Sequence, residues 1–234
     1  MVHKVSSKVN LAIKALILGF ALSACSAIAQ PLALPDNLIS ITSDSGKKLL
    51  SASQSKTDYP PLSEYFVTQS HPAYCGVASM TIVINALHGD RKLTQDNFFD
   101  NQKTNQIASA LSIQWRGMNL DTLGKLLESH NVKVQVYHAT DTNLSTFRDL
   151  VTENLKQSNN FVLVNYLRRS IGQESGGHIS PIAAYDRSTD RFLILDVASY
   201  KYPPVWVKAE ELWQSINTID NDGGKTRGFV LVSP

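Results

Sequence analysis

The hydrophobic periodicity of the chain changes near its middle, and this change constrains the fold more than any other feature of the sequence. In the first half, apolar residues recur every three or four positions, as on one face of a helix; the clearest stripe is Val77, Met80, Ile84 and Leu87. In the second half, short continuous apolar runs typical of buried strands take over. They are Phe161–Val164, Ile179–Tyr185 and Phe192–Leu195. Helices followed by a cluster of strands predict an α+β fold, in which a helical layer packs on an antiparallel sheet.

The size and composition narrow the class of protein further. The chain has 234 residues, of which 43% are hydrophobic, so it can fill the core of one domain. Two cysteines are too few for a disulfide-stapled scaffold. The net charge of +2 owes much to Lys4, Lys8 and Lys14, and without them the chain is close to neutral. Nucleic acid is therefore not an expected partner.

The first residues resemble an export signal. Three lysines without any acidic residue precede an apolar run at 15–22, which is too short to span a bilayer. Leu22-Ser23-Ala24-Cys25 matches a bacterial lipobox, in which cleavage leaves a lipidated cysteine. We therefore expect residues 1–24 to be a lipoprotein signal peptide and Cys25 to carry the lipid. Ala27-Ile28-Ala29 offers ordinary signal peptidase a second cleavage site.

Either cleavage implies export. The lipobox predicts a periplasmic protein with a membrane anchor, and Ser26 after the cysteine favours the outer membrane. The second site would give a soluble periplasmic or secreted protein. We expect residues 25–38 to form a tether and residues 39–234 the catalytic domain. Frequent Ser, Gly and Pro interrupt any periodicity before Leu62, so no regular element is expected there.

Cys75 is the candidate nucleophile. It lies between an extended lead, His71-Pro72-Ala73-Tyr74, and the apolar helix. The first turn of a helix favours a thiolate and lowers the pKa of the thiol. Gly76 leaves space there for a substrate. The alternative is an unreactive cysteine of the core, but in an exported protein such a thiol is an oxidation liability.

His178 and Asp196 are the candidate base and its orienting partner. His178 follows the turn Ser175-Gly176-Gly177 and opens an apolar strand, although a histidine in a surface turn would show the same local pattern. Asp196 ends the next apolar run, where a buried carboxylate needs a partner. Their separation fits two adjacent antiparallel strands with a turn. The order Cys, His, Asp is that of papain-like enzymes.

Gln69 precedes the thiol by six positions and could supply an N–H to an oxyanion, together with the backbone N–H of Cys75. Alone it would be an ordinary loop residue. No histidine pair has the spacing of a metal site, and no glycine-rich phosphate loop occurs. We therefore expect no metal site and no cofactor.

Three separate stretches resemble the motifs of phytochelatin synthases. They are Thr68–Met80 around Cys75, Gly177–Pro181 around His178, and Leu195–Ala198 with the following Lys201–Val207. The resemblance runs from about Ile39 to Val232. It implies a papain-like fold and an acyl-enzyme mechanism with glutathione as substrate.

By this resemblance, Cys75 attacks the carbonyl of the Cys–Gly bond and releases glycine, leaving a γ-glutamylcysteinyl thioester. His178 acts as base and then acid, Asp196 orients it, and Gln69 holds the oxyanion. The γ-glutamyl end would be bound by polar residues on the side of the sheet. The matching positions are Asn165, Gly177 and Arg227, with Asp220 and Arg168 as weaker candidates.

The resemblance leaves the balance of activities open. Plant members tend to carry Arg where this chain has Ser199, which implies weaker binding of a second thiol substrate. Hydrolysis is therefore expected to dominate, with weak synthesis of phytochelatin. Metal ions would enter only as thiolate complexes of the substrate, and relatives form homodimers. Two other functions stay open: a papain-like peptidase or amidase acting on envelope peptides, and a lipoprotein that binds thiols or metals without turnover.

Overall fold

The computed structural model describes residue 1 and residues 31–174 and 176–234, and it confirms the predicted α+β fold. The signal peptide and Cys25 lie outside the described residues. Within the described part, seven antiparallel strands form one sheet in the order β1-β6-β5-β4-β3-β7-β2. The strands are β1 (Ile39–Ser40), β2 (Lys133–His138), β3 (Phe161–Leu167), β4 (Gly177–Asp186), β5 (Arg191–Ile194), β6 (Val205–Lys208) and β7 (Gly228–Ser233).

Helices cover both faces of the sheet, so the predicted single helical layer is incomplete. The described helices are α1 (Asp44–Ala52), α2 (Tyr59–Glu64), α3 (Cys75–His88), α4 (Gln102–Ile107), α5 (Ala110–Arg116), α6 (Leu120–Glu128), α7 (Leu144–Asn154) and α8 (Ala209–Ile216). One apolar core joins α2, α3 and α6 to one face of the sheet, and a second joins α7 and α8 to the other. The central strands β3, β4 and β5 are thus buried on both faces, which explains their continuous apolar runs.

Helix α3 is the central element of the first core. Every residue from Gly76 to Asn85 is buried. The apolar stripe predicts this for one face of the helix, and the small side chains of Ala78 and Ser79 let the other faces pack closely as well. The hydroxyl of Ser79 donates to the carbonyl oxygen of Ile179 at 3.1 Å. Gly89, at φ 67°, ends the helix in the left-handed conformation that glycine accepts readily. The start of α3 is therefore held against β4.

The segment before Leu62 is folded, contrary to the sequence prediction. It contains β1, α1 and α2. Ser43 is the N-cap of α1 and accepts from the N–H of Gly46 at 3.0 Å. A Cβ atom on Gly46 would lie 2.0 Å from the carbonyl oxygen of Ser40, so only glycine fits there. Composition alone did not distinguish this cap from a loop.

None of the described helices is long and apolar enough to cross a membrane.

Asp58, at the start of α2, is a buried acid with unusual surroundings. Its side chain is 1% exposed, and neither carboxyl oxygen has a hydrogen-bond partner among the described residues. Burial raises the pKa of Asp58 to about 9. The folded protein therefore holds a proton here at neutral pH that the unfolded chain releases.

Replacing this acid with its neutral isostere should stabilise the protein at high pH. Because the pKa is raised in the folded state, the wild type loses stability as pH rises from about 4 to about 9. We expect Asp58→Asn to raise the free energy of unfolding by ~2–4 kcal/mol at pH 8 and to change it little at pH 4. Urea denaturation at both pH values measures this. Equal effects at the two pH values would contradict the proposed protonation.

Candidate active site

The fold brings the three predicted catalytic residues together. Cys75 is the first residue of α3, His178 is the second residue of β4, and Asp196 follows the end of β5. Strands β4 and β5 pair directly, and the N–H of Leu195 donates to the carbonyl oxygen of Pro181 at 2.9 Å. This pairing sets His178 Nε2 at 2.9 Å from Asp196 Oδ1. The other ring nitrogen, Nδ1, is left for the thiol of Cys75.

The surroundings of Cys75 favour its thiolate. Burial opposes ionisation, but the hydrogen bond and charge of His178 and the backbone N–H groups of Ile179 and Gly76 outweigh it, so the pKa of the thiol is below its usual value. As the first residue of a helix, Cys75 also has a backbone N–H that the helix itself does not use. The thiol is half-buried and unpaired. This is the setting of a reactive cysteine.

His178 and Asp196 are a coupled, buried pair. Burial works against a charged imidazole, but the neighbouring carboxylate of Asp196 prevails and raises the pKa of His178. Burial likewise opposes ionisation of Asp196, which is 0% exposed, yet the charges and hydrogen bonds of His178 and Arg168 hold its pKa well below the usual range. The pair therefore stabilises an imidazolium beside the thiolate.

Arg168 has a different position from the one expected of a substrate-binding residue. It lies behind Asp196, with Nη2 2.7 Å from Asp196 Oδ1 and Nη1 2.5 Å from Gln173 Oε1. Its side chain is buried and does not line the pocket that contains the thiol. The contact through Nη2 fixes the carboxylate and the contact through Nη1 fixes the guanidinium itself, so Arg168 positions the candidate catalytic pair. Sequence reasoning missed this role and missed Gln173 entirely, because no short motif links the end of β3 to the end of β5.

Gln69 supports the loop that leads to Cys75. Its Nε2 lies 2.8 Å from the carbonyl oxygen of His71 and 2.9 Å from that of Pro72. Its backbone N–H donates to the carbonyl oxygen of Val197. Two carbonyl acceptors match the two hydrogens of the amide. The contact of Gln69 with an oxyanion stays a prediction.

The thiol and the imidazole open into a pocket of about 240 Å³. Four of the candidate substrate-binding residues line it: Asn165, Gly177, Asp220 and Arg227. Asn165 Nδ2 donates to Asp220 Oδ2 at 3.1 Å, and Arg227 Nη2 lies 3.5 Å from Asp220 Oδ1. The Nε of Arg227 is buried without a partner among the described residues. The pocket thus presents one carboxylate and one incompletely bonded guanidinium side by side.

Two glycines shape this pocket. A Cβ on Gly177 would lie 3.0 Å from Arg227 Nη2, and a Cβ on Gly76 would lie 2.5 Å from the sulfur of Met118. Gly76 therefore makes room for a protein side chain and not only for a substrate. Met118 is another residue that sequence reasoning missed, since it is distant in the chain and belongs to no motif.

A larger groove of about 800 Å³ lies elsewhere, between the end of α1, helix α7 and the turn after β4. It contains none of the candidate catalytic residues. Among the described residues, no group of three or more His, Cys, Asp or Glu side chains could hold a metal ion.

Comparison with known proteins agrees with these motifs. A family model described as phytochelatin synthase matches residues 29–229. Glutathione gamma-glutamylcysteinyltransferase 1 of Lotus japonicus is 37% identical over 201 residues, which are 83% of this chain and 40% of the relative. The Arabidopsis thaliana enzyme of the same name is 36% identical over 175 residues, 74% of this chain and 36% of its own length. That of Schizosaccharomyces pombe is 29% identical over 86% of this chain and 50% of its own length. The chain thus spans half or less of the length of each of these relatives.

Alkylation should reveal the coupling of Cys75 to His178. We expect iodoacetamide to modify Cys75 at pH values below the usual thiol pKa of about 8.5, because the imidazole stabilises the thiolate. In His178→Asn only burial and the backbone N–H groups remain to set the pKa, so half-maximal reactivity should move to higher pH. Mass spectrometry of the Cys75 peptide measures the rate.

His88→Asn is the matched control, because His88 ends the same helix and is exposed. It should leave the pH profile unchanged. Identical profiles for wild type and His178→Asn would show that the two side chains do not share a proton.

Proposed function

The chain belongs to the phytochelatin synthase family, and we propose that it hydrolyses glutathione at the Cys–Gly bond through a thioester on Cys75. Weak transfer of the γ-glutamylcysteinyl group to a second thiol peptide would be a side activity. The family is papain-like, in keeping with a nucleophile on a helix and its base on a sheet.

The paired charges of the pocket are the observation that carries this proposal. A γ-glutamyl residue keeps both its ammonium and its carboxylate on one carbon atom, because it is linked through its side chain. Asp220 and Arg227 offer opposite charges 3.5 Å apart, next to Asn165. An ordinary α-linked peptide has no free carboxylate beside its terminal ammonium and would leave the Nε of Arg227 without a partner. The charge pattern therefore favours γ-glutamyl substrates over envelope peptides.

In the first half-reaction, the thiolate of Cys75 attacks the carbonyl carbon of the Cys–Gly bond. The backbone N–H of Cys75 would stabilise the oxyanion. Gln69, the second predicted donor, would have to release one of the two carbonyl oxygens that its amide contacts. As the C–N bond breaks, the imidazolium of His178 gives its proton to the glycine nitrogen. Glycine leaves, and a thioester joins Cys75 to γ-glutamylcysteine.

In the second half-reaction, water attacks the thioester carbonyl and the neutral His178 takes its proton. The C–S bond breaks, the thiolate of Cys75 is restored, and γ-glutamylcysteine is released. A thiol peptide would have to replace this water through its amine to extend the chain. Ser199, where plant relatives tend to have Arg, is hydrogen-bonded to Thr68 at 2.5 Å and brings no positive charge to that side of the site. This supports hydrolysis as the main outcome.

We propose no cofactor for this reaction, since the nucleophile, the base and the orienting carboxylate are all side chains of the chain. Metal ions would act only as thiolate complexes of the substrate. A homodimer is the assembly that the family resemblance implies.

We further propose that the protein is exported and anchored by a lipid on Cys25, in the outer membrane. The lipobox Leu22-Ser23-Ala24-Cys25 and the apolar run before it support this. Cleavage after Ala29 would instead give a soluble periplasmic or secreted protein.

Glutathione turnover tests the enzymatic proposal. We expect the purified full-length protein to release glycine and γ-glutamylcysteine, and Cys75→Ser to lose at least ~10³-fold in rate because the nucleophile is gone. Chromatography of the products, with and without cadmium, also detects longer thiol peptides. If reduced Cys75 leaves glutathione intact but α-linked peptides are cleaved, the peptidase function replaces this one. Binding without products in calorimetry would instead indicate a thiol-binding lipoprotein.

The mature N-terminus tests the anchor. Mass spectrometry of the protein extracted from bacterial membranes should find Cys25 as the first residue, carrying acyl chains. An unmodified start at Gln30 would contradict the anchor and leave the enzymatic proposal untouched.

A further inference from the structure

Helix α5 presents large apolar side chains to solvent. Trp115 is 79% exposed and Leu111 is 64% exposed. They are four residues apart on the helix, so they share one face. Ile107, at the end of α4, is exposed as well. We call these three residues the Trp115 patch. Exposed aromatic and aliphatic side chains grouped in this way mark a surface that contacts a partner or a membrane.

The two helices that carry the Trp115 patch contain only positively charged ionisable side chains. Helices α4 and α5 contain Lys103 and Arg116 and no acidic residue. Both cations are exposed. A tryptophan and leucine surface flanked by basic side chains suits the headgroup region of an anionic bilayer.

A series of contacts connects the start of the described chain to the helix that carries Trp115. The N–H of Leu32 donates to the carbonyl oxygen of Lys201 at 2.9 Å. The hydroxyl of the neighbouring Tyr200 accepts a hydrogen bond from Gln69 Nε2 at 3.3 Å. The same Nε2 lies 2.8 Å from the carbonyl oxygen of His71. The ring of His71 in turn lies 3.5 Å from the amide of Gln114, the residue before Trp115. A short series of contacts thus joins the N-terminal segment to α5.

The length of chain before Leu32 keeps the domain close to any lipid on Cys25. Leu32 lies seven positions after Cys25, and a fully extended chain of that length reaches at most ~25 Å. In an anchored protein, Leu32 and the surface around Lys201, to which it is hydrogen-bonded, therefore lie within about that distance of the lipid-bearing cysteine.

We propose that the Trp115 patch docks on the bilayer in which the lipid of Cys25 is inserted, with the indole of Trp115 at the level of the headgroups. This inference rests on the proposed anchor at Cys25 and is independent of the reaction catalysed. A contact between the domain and the bilayer would add to the attachment that the acyl chains of Cys25 supply. Docking would also fix the orientation of the active site, because Arg116 and Gly117 line the catalytic pocket.

Tryptophan fluorescence in vesicles tests this docking. The lipidated mature protein is reconstituted into vesicles of phosphatidylethanolamine and phosphatidylglycerol, with and without bromine on the acyl chains. Of its three tryptophans, Trp206 is fully buried and Trp213 is half-buried on α8. The difference between wild type and Trp115→Phe therefore isolates the emission of Trp115. Trp213→Phe is the matched control for loss of a tryptophan on another face.

We expect bromolipids to quench the Trp115 emission about twofold or more and vesicles to shift it to shorter wavelength. Quenching should persist in Trp213→Phe and vanish in Trp115→Phe, and Leu111→Ser should reduce it. Cys25→Ala cleaved after Ala29, which has neither the lipid nor the apolar run at 15–22, should still bind the vesicles weakly at low salt and lose that binding with Trp115→Phe. This arm reports on the patch even if Cys25 proves not to be acylated.

Two results would overturn the proposal. One is a Trp115 emission that remains water-exposed and unquenched in vesicles. The other is an emission already shifted without vesicles, in a protein that sediments as a dimer and is unaffected by bromolipids. The second result would assign the Trp115 patch to a second copy of the chain.

Discussion

The carboxylate of Asp196 is the interaction on which the active site depends. It is fully buried, where an unpaired charge would be very unfavourable. Its Oδ1 accepts from His178 at 2.9 Å, from Arg168 at 2.7 Å and from the N–H of Ala198 at 2.9 Å. These donors come from the ends of three different strands or their flanking turns. Forming the carboxylate's contacts therefore requires the whole centre of the sheet to be in register.

The same sheet positions two polar residues of the pocket, whereas the candidate nucleophile comes from the opposing helix. Asn165 lies on β3 and Arg227 directly precedes β7, and these strands are neighbours. Helix α3 brings only the thiol and its backbone N–H, and the hydroxyl of Ser79 ties it to β4. The chemistry is thus divided between two layers that the apolar core holds together. A loss of packing between them would separate the thiol from its base before either layer unfolded.

Sequence reasoning found the parts of the molecule that leave a local pattern. Periodicity and apolar runs predicted α3 and the strands from β3 to β5, and the chemistry of adjacent strand ends predicted the pairing of His178 with Asp196. Sequence reasoning failed before Leu62, because the serine that caps α1 is a residue type that is equally common in loops. It also misplaced Arg168, because the choice between a substrate and a buried carboxylate depends on a contact across strands. Met118 and Gln173 matter only through contacts in the folded structure and belong to no sequence motif, so the sequence could not identify them.

The close approach of Met118 to Gly76 has an evolutionary consequence. The thioether occupies the volume that any side chain at position 76 would need. A larger residue beside the nucleophile requires the flexible thioether of Met118 to move or the residue at 118 to become smaller. The identities of the residues at positions 76 and 118 are therefore expected to be correlated among related sequences.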